Sequence, residues 1–119
     1  MDTLLIKVTA GTDAPERASQ AFTVASMGLA AGASVSLWLT GEAAWFAVPG
    51  RAEEFSLPHA APLQDLLNAV LAAGTVTLCT QCAARRDLAE GDLVPGIRVA
   101  GAAAFVEEAL KDGTQALVY

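Results

Sequence analysis

Two thiols stand three positions apart in the run Cys79-Thr80-Gln81-Cys82, and the chain has no other cysteine. The thiolate is the nucleophile of cysteine chemistry, and it is favoured by nearby positive charge and by the unpaired amides at the start of a helix. The residues before this run, Thr75-Val76-Thr77-Leu78-Cys79, read as an apolar strand, and Thr80 to Leu88 reads as a short helix. Cys79 then ends a strand, Thr80 caps the helix, and Cys82 falls in its first turn. Arg85 and Arg86 lie on the same helix and add positive charge where either side chain turns toward the thiols. Such a setting makes a cysteine nucleophilic toward sulfur at neutral pH. The plainer reading of the pair is packing, because free cysteine often acts only as a small buried hydrophobe.

Other chemistries need partners that the sequence withholds. A structural zinc site takes four ligands, and beyond the two cysteines only His59 remains, in a proline-rich loop. Neither a metal nor a cofactor is therefore expected, and a cysteine hydrolase has no other histidine to draw on. Nucleotide binding lacks its anchors, since neither a G-x-G-x-x-G nor a phosphate-loop lysine follows the first strand. Gly11-Thr12-Asp13 and Thr40-Gly41 follow the first two strands and should border the same end of the sheet as Cys79. Their amides could hold a sulfur substrate or an anion, although such residues more often serve turns and caps. The candidate site is thus Cys79 and Cys82, with Gly11, Thr12, Thr80 and Arg85 as substrate-binding positions.

The elements that would position these residues alternate. Leu4 to Thr9 is a mostly apolar strand of the kind covered on both faces. Asp13 is a good helix cap with Pro15 in the first turn and Glu16 as capping-box partner. Ala18, Phe22, Ala25 and Leu29 form one helical stripe, closed by Gly32. Val35 to Leu39 alternates more and reads as a strand nearer the edge. A loop runs from Pro49 to Pro62, and Leu63, Leu66, Leu67, Val70 and Leu71 mark an amphipathic helix ended by Gly74. After the cysteine segment come a loop from Gly91 to Gly96 and a short strand at 97–100. Gly101 opens a helix through Phe105, Val106, Ala109 and Leu110, and Gln115 to Tyr119 is a last strand. Strand alternating with helix predicts one α/β domain over residues 1–119, a parallel sheet with helices on both faces joined by right-handed crossovers. A thioredoxin-like order, with the cysteines after an early strand and a late hairpin, fits poorly. Trp38, Trp45, Phe46 and Phe55 read either as core packing beneath the loop or as a subunit interface.

Composition narrows the partners. Seven basic against thirteen acidic side chains give a net charge of −6, which leaves no basic face for nucleic acid or anionic membrane. Apolar residues make up 54% of the chain, above the usual ~45–50% of soluble domains, so self-association is expected. The start of the chain does not look like a signal peptide, and no apolar run approaches the ~20 residues of a membrane span. Cysteines this close together do not staple a secreted fold, so the expected location is the cytoplasm.

The run Cys79-Thr80-Gln81-Cys82-Ala83-Ala84-Arg85-Arg86, followed by Pro95-Gly96-Ile97 and Gly101, resembles the DsrE/DsrF-like family, and the order of elements matches over the whole chain. That family holds sulfur-relay subunits and relatives described as predicted peroxiredoxins. The resemblance implies a five-stranded parallel sheet with flavodoxin-like strand order, a homo- or hetero-oligomer such as a trimer or hexamer, and a cysteine at the end of the third strand that accepts sulfur as a persulfide for a donor or acceptor protein. That role falls on Cys79, with Cys82 assisting or resolving, as in a sulfurtransferase or sulfur carrier. Relatives often place Arg-Gly after the helix, where this chain continues Arg85-Arg86-Asp87. Two alternatives stay open: a non-catalytic oligomeric module with inert cysteines, and a dithiol redox protein using Cys79 and Cys82.

Overall fold

A computed structural model describes residues 2–119, and Met1 lies outside them. The chain runs through β1 (Thr3–Val8), α1 (Pro15–Ala30), β2 (Ser34–Leu39), a 3-10 segment (Gly41–Ala47), α2 (Arg51–Glu54), α3 (Leu63–Ala73) and β3 (Thr75–Cys79). It continues through α4 (Thr80–Arg85), a 3-10 turn (Glu90–Asp92), β4 (Arg98–Ala100), α5 (Ala102–Ala109) and β5 (Thr114–Val118). The five strands form one parallel sheet in the order β4-β3-β2-β1-β5. This is the expected α/β architecture with helices on both faces.

The strand order corrects the flavodoxin-like expectation. A flavodoxin-like sheet puts β1 between β2 and β3, whereas here β1 lies between β2 and β5. The first three crossovers step in one direction, and only the last link, from β4 to β5, returns across the sheet. Right-handed crossovers allow either path, so hydrophobic patterning does not distinguish them. Stepping one way stacks α1 and α3 on the same face, and the reversed link lays α5 on the other.

A second correction concerns β2, which is the central strand and not one nearer the edge. Val35 to Leu39 are all buried. The alternation of Ser36 and Trp38 with aliphatic residues marks two covered faces of different chemistry. Val35, Leu37 and Leu39 join Ile6, Val8, Val76 and Leu78 beneath Ala18, Phe22 and Ala25 of α1 and Leu63, Leu67 and Val70 of α3. Phe46 meets Phe22 and Phe55 edge-on, with ring centroids 5.6 Å apart in each pair. Trp38 belongs to the opposite face, where it stands edge-on to Phe105 of α5 at 5.3 Å. The four aromatic residues of the middle of the chain therefore do not form one cluster.

On that opposite face Glu108 of α5 accepts a hydrogen bond from Ser36 Oγ at 2.6 Å and one from Trp38 Nε1 at 3.3 Å, and it pairs with Arg98. Arg98 Nε donates to Thr77 Oγ1 at 2.5 Å. No residue of α5 is fully buried, and Leu110, just past its end, is 79% exposed. The polar network, the Trp38–Phe105 contact and the Lys7 ammonium over the Phe105 ring hold this helix to the sheet.

Local capping also differs from expectation. Asp13 does not cap α1: its Oδ1 accepts from the Gly11 amide at 2.8 Å, closing a turn, and Ala14 occupies the cap position with no side-chain bond. Thr80 is the first residue of α4 and not its cap, a position held by Cys79. The missing glycine after α4 is replaced by Asp87 at φ 54°. Aspartate tolerates this left-handed conformation better than most residues, and Leu88 N–H returns to the Ala83 carbonyl at 3.0 Å.

Candidate functional site

Cys79 sits at the carboxyl edge of β3, where parallel sheets gather function. It does not lie where the strand order breaks: β3 is flanked by β2 and β4, and the break is beside β1. Side chains alternate along a strand, so Cys79 shares the α5-facing side with Thr77. Its backbone is extended, with φ −63° and ψ 129°, and the chain turns into α4 at the next residue. Cys79 is half-buried, while Cys82 is only 7% exposed.

Several groups converge on the two sulfurs. Burial works to raise the Cys79 thiol, but the backbone amide of Cys82, the Cys82 side chain, the Gln81 amide and the charge of Lys7 outweigh it and hold the thiol below its ordinary range. Cys82 Sγ accepts the Gly41 amide at 3.2 Å. Gly41 has φ 52°, and a Cβ there would come within 2.6 Å of the Thr9 carbonyl oxygen. Only glycine lets this loop press against the one after β1 and still aim its N–H at the sulfur. Gly11 answers from the other loop, where a Cβ would stand 2.6 Å from the Glu42 carbonyl oxygen.

The remaining predicted positions are spread out. The Gly11 amide is bonded to Asp13. Thr12 is exposed and lines a cavity of about 160 Å³ with Glu42, Trp45 and Arg51 among others. Thr80 and Arg85 are exposed on α4. Arg86, and not Arg85, turns inward. Its Nη1 donates to the Cys82 carbonyl at 3.1 Å, its Nη2 pairs with Glu42 Oε2 at 2.8 Å, and its guanidinium lies 5.9 Å from the Trp45 ring centroid. This clamp ties α4 to the 3-10 segment that begins with Gly41, fixing the amide that reaches Cys82.

Lys7 and Glu42 escaped the reading of the sequence. Lys7 is one charge in an apolar strand, held 4.6 Å from the Phe105 ring centroid; that lone charge was its only signal. Glu42 carried none, because its partner lies 44 residues away. His59 is exposed at φ 62° and lines a separate groove of about 640 Å³ between α1 and the loop before α3. No residue of the cysteine site lines that groove. Among the described residues, no three His, Cys, Asp or Glu side chains are grouped to hold a metal ion, and no helix is long and apolar enough to cross a membrane.

Five parallel strands in this order, with helices on both faces, define the class. The chain belongs to the DsrE/DsrF-like family, whose model matches residues 2–119. Among solved structures it is similar to the ychN protein from E. coli, at 16% identity with a TM-score of 0.81 and all of both chains covered. It is also similar to MTH1491 of Methanobacterium thermoautotrophicum, a protein of unknown function, at 8% identity, TM-score 0.72 and full coverage of both. BT1422 of Bacteroides thetaiotaomicron, likewise of unknown function, matches at 18% identity and TM-score 0.60, with 99% of this chain and 95% of that one covered. At these identities the structures speak for the fold alone. No curated protein matches the chain.

Proposed function

We propose that this protein handles sulfur through Cys79, which takes up a sulfur atom as a persulfide and passes it on. Family membership supports sulfur relay in general terms. The finer assignment rests on one observation: Cys79 is the half-buried thiol, and hydrogen bonds from its neighbours hold it toward the thiolate. The Cys79 thiolate attacks the sulfane sulfur of a donor, the donor thiolate departs, and the transferred sulfur remains on Cys79. Thr80 and Arg85, exposed on α4, and the exposed Thr12 across the loops are the surface a donor or acceptor protein would meet, while the buried Gly11 shapes the loop beneath Thr12. The reading includes a cytoplasmic setting and self-association as a trimer or hexamer, supported by the exposed apolar side chains of Val106, Leu110 and Val118.

The test is the rate of iodoacetamide labelling of native protein across pH, resolved at each cysteine by mass spectrometry, followed by loading with inorganic polysulfide. Fast labelling of Cys79 with a midpoint below the free-thiol reference of about 8.5, and a one-sulfur mass gain that is trapped by alkylation at once after mixing and lost in Cys79→Ser, are the expected results. Labelling that stays slow at both cysteines until the protein unfolds overturns the proposal and leaves an oligomeric module with inert thiols.

A further inference from the structure

The geometry of the pair carries a second step, which rests on the reading that Cys79 accepts sulfur. We infer that the Cys79 persulfide discharges within the chain: Cys82 attacks Cys79 Sγ, a Cys79–Cys82 disulfide forms, and the outer sulfur leaves as hydrogen sulfide.

Three observations support this. Cys79 ends β3 and Cys82 lies in the first turn of α4, and both the amide and the side chain of Cys82 act on the Cys79 thiol, so Cys82 is the neighbouring thiol to the inner sulfur of a persulfide on Cys79. Cys79 is half-buried, and its open side is where an outer sulfur has room. Cys82 is buried, so Cys79 is the thiol that an outside reagent reaches and Cys82 the one that follows. The Gly41 amide at 3.2 Å donates to Cys82 Sγ and steadies the negative charge that the attacking sulfur must carry. A strand-end cysteine and one three residues on, in the first turn of the helix, also have the spacing of reversible dithiol pairs.

The step balances internally. The bond between Cys79 Sγ and the outer sulfur breaks, the Sγ–Sγ bond forms, and the proton of the Cys82 thiol goes to the departing hydrosulfide. The outer sulfur is reduced by two electrons, which the two cysteine sulfurs supply. A dithiol reductant of the thioredoxin or dithiothreitol type must then restore both thiols by exchange. Unless an acceptor thiol reaches the persulfide first, each sulfur accepted leaves as sulfide and consumes one dithiol.

The experiment loads reduced protein with inorganic polysulfide, removes the excess, and follows sulfide release together with intact mass. Wild type should release about one sulfide per chain and finish two hydrogens lighter with no added sulfur, as attack at the inner sulfur requires. Cys82→Ser should keep the one-sulfur adduct on Cys79 and release sulfide roughly tenfold more slowly or less. Cys82→Ala, checked by circular dichroism, serves if the serine variant fails to fold. A stable persulfide on wild-type Cys79 overturns the discharge step and leaves the carrier reading intact. An adduct that migrates to Cys82 also overturns it. Absence of any adduct in both Cys82 variants, with no sulfide released by wild type, overturns the carrier reading itself.

Discussion

The face of the sheet under α1 and α3 is aliphatic and covered by two helices that also pack on each other, whereas the face under α5 carries Ser36, Trp38, Thr77 and Arg98 beneath one short helix. The first is held by burial, which is non-directional and grows with apolar area. The second is held by hydrogen bonds that work only at defined positions. Cys79 falls on this second face by strand alternation and also packs against the aliphatic core. The candidate site therefore sits where the two meet, with Cys82 buried in the aliphatic core and held by the Gly41 amide.

Substitutions on each face test this division. Phe22→Ala removes a fully buried ring from the α1 face and should cost about 3–5 kcal/mol in denaturant unfolding. If the loss falls below that of changes under α5, the division is wrong. Glu108→Ala leaves Ser36 and the Trp38 indole without their acceptor and should cost roughly 1–3 kcal/mol. Its mark should be faster hydrogen exchange in α5 and β5, with α1 and α3 unchanged. Leu110→Lys changes an exposed side chain and should alter monomer stability by no more than about 0.5 kcal/mol. Light scattering should nevertheless show smaller assemblies if this side meets another subunit.

The smallest expected effect is electrostatic. Lys7 is the last contributor to the lowered Cys79 thiol, so Lys7→Met should raise the pH midpoint of Cys79 labelling slightly and leave the fold intact. The sign for stability follows. The unfolded chain holds the Cys79 proton more tightly than the folded one, so this thiol's contribution is fully present above the ordinary thiol range. It is lost as pH falls through the lowered folded value. Cys79→Ser should flatten that part of the stability profile.

Much of this arrangement was legible in the sequence because it is local. The stripe Ala18, Phe22, Ala25, the amphipathic run from Leu63 and the strand ending at Cys79 each lie in one segment and obey one period. What escaped depends on partners distant along the chain. Ser36 and Trp38 look like an edge pattern until Glu108, 72 and 70 residues on, supplies their acceptor. Asp13 has the composition of a helix cap, yet it serves the turn at Gly11. Arg85 and Arg86 are equivalent on paper, and the phase at the end of α4 turns only Arg86 toward Cys82 and Glu42. Strand order depends on the direction of each crossover, about which hydrophobic spacing is silent.

The pairing of β1 with β5 has a consequence in time. Thr9 Oγ1 and Tyr119 O, bonded at 2.7 Å, are 110 residues apart in the chain. At ribosomal speeds of about 5–20 residues per second, β1 waits roughly 5–20 s for the strand that covers its second edge. During that interval β2 and β3 can already pair while α5, which comes after both cysteines, has yet to be made. The face that carries Ser36 and Trp38 therefore stays open until α5 and its Glu108 have been made.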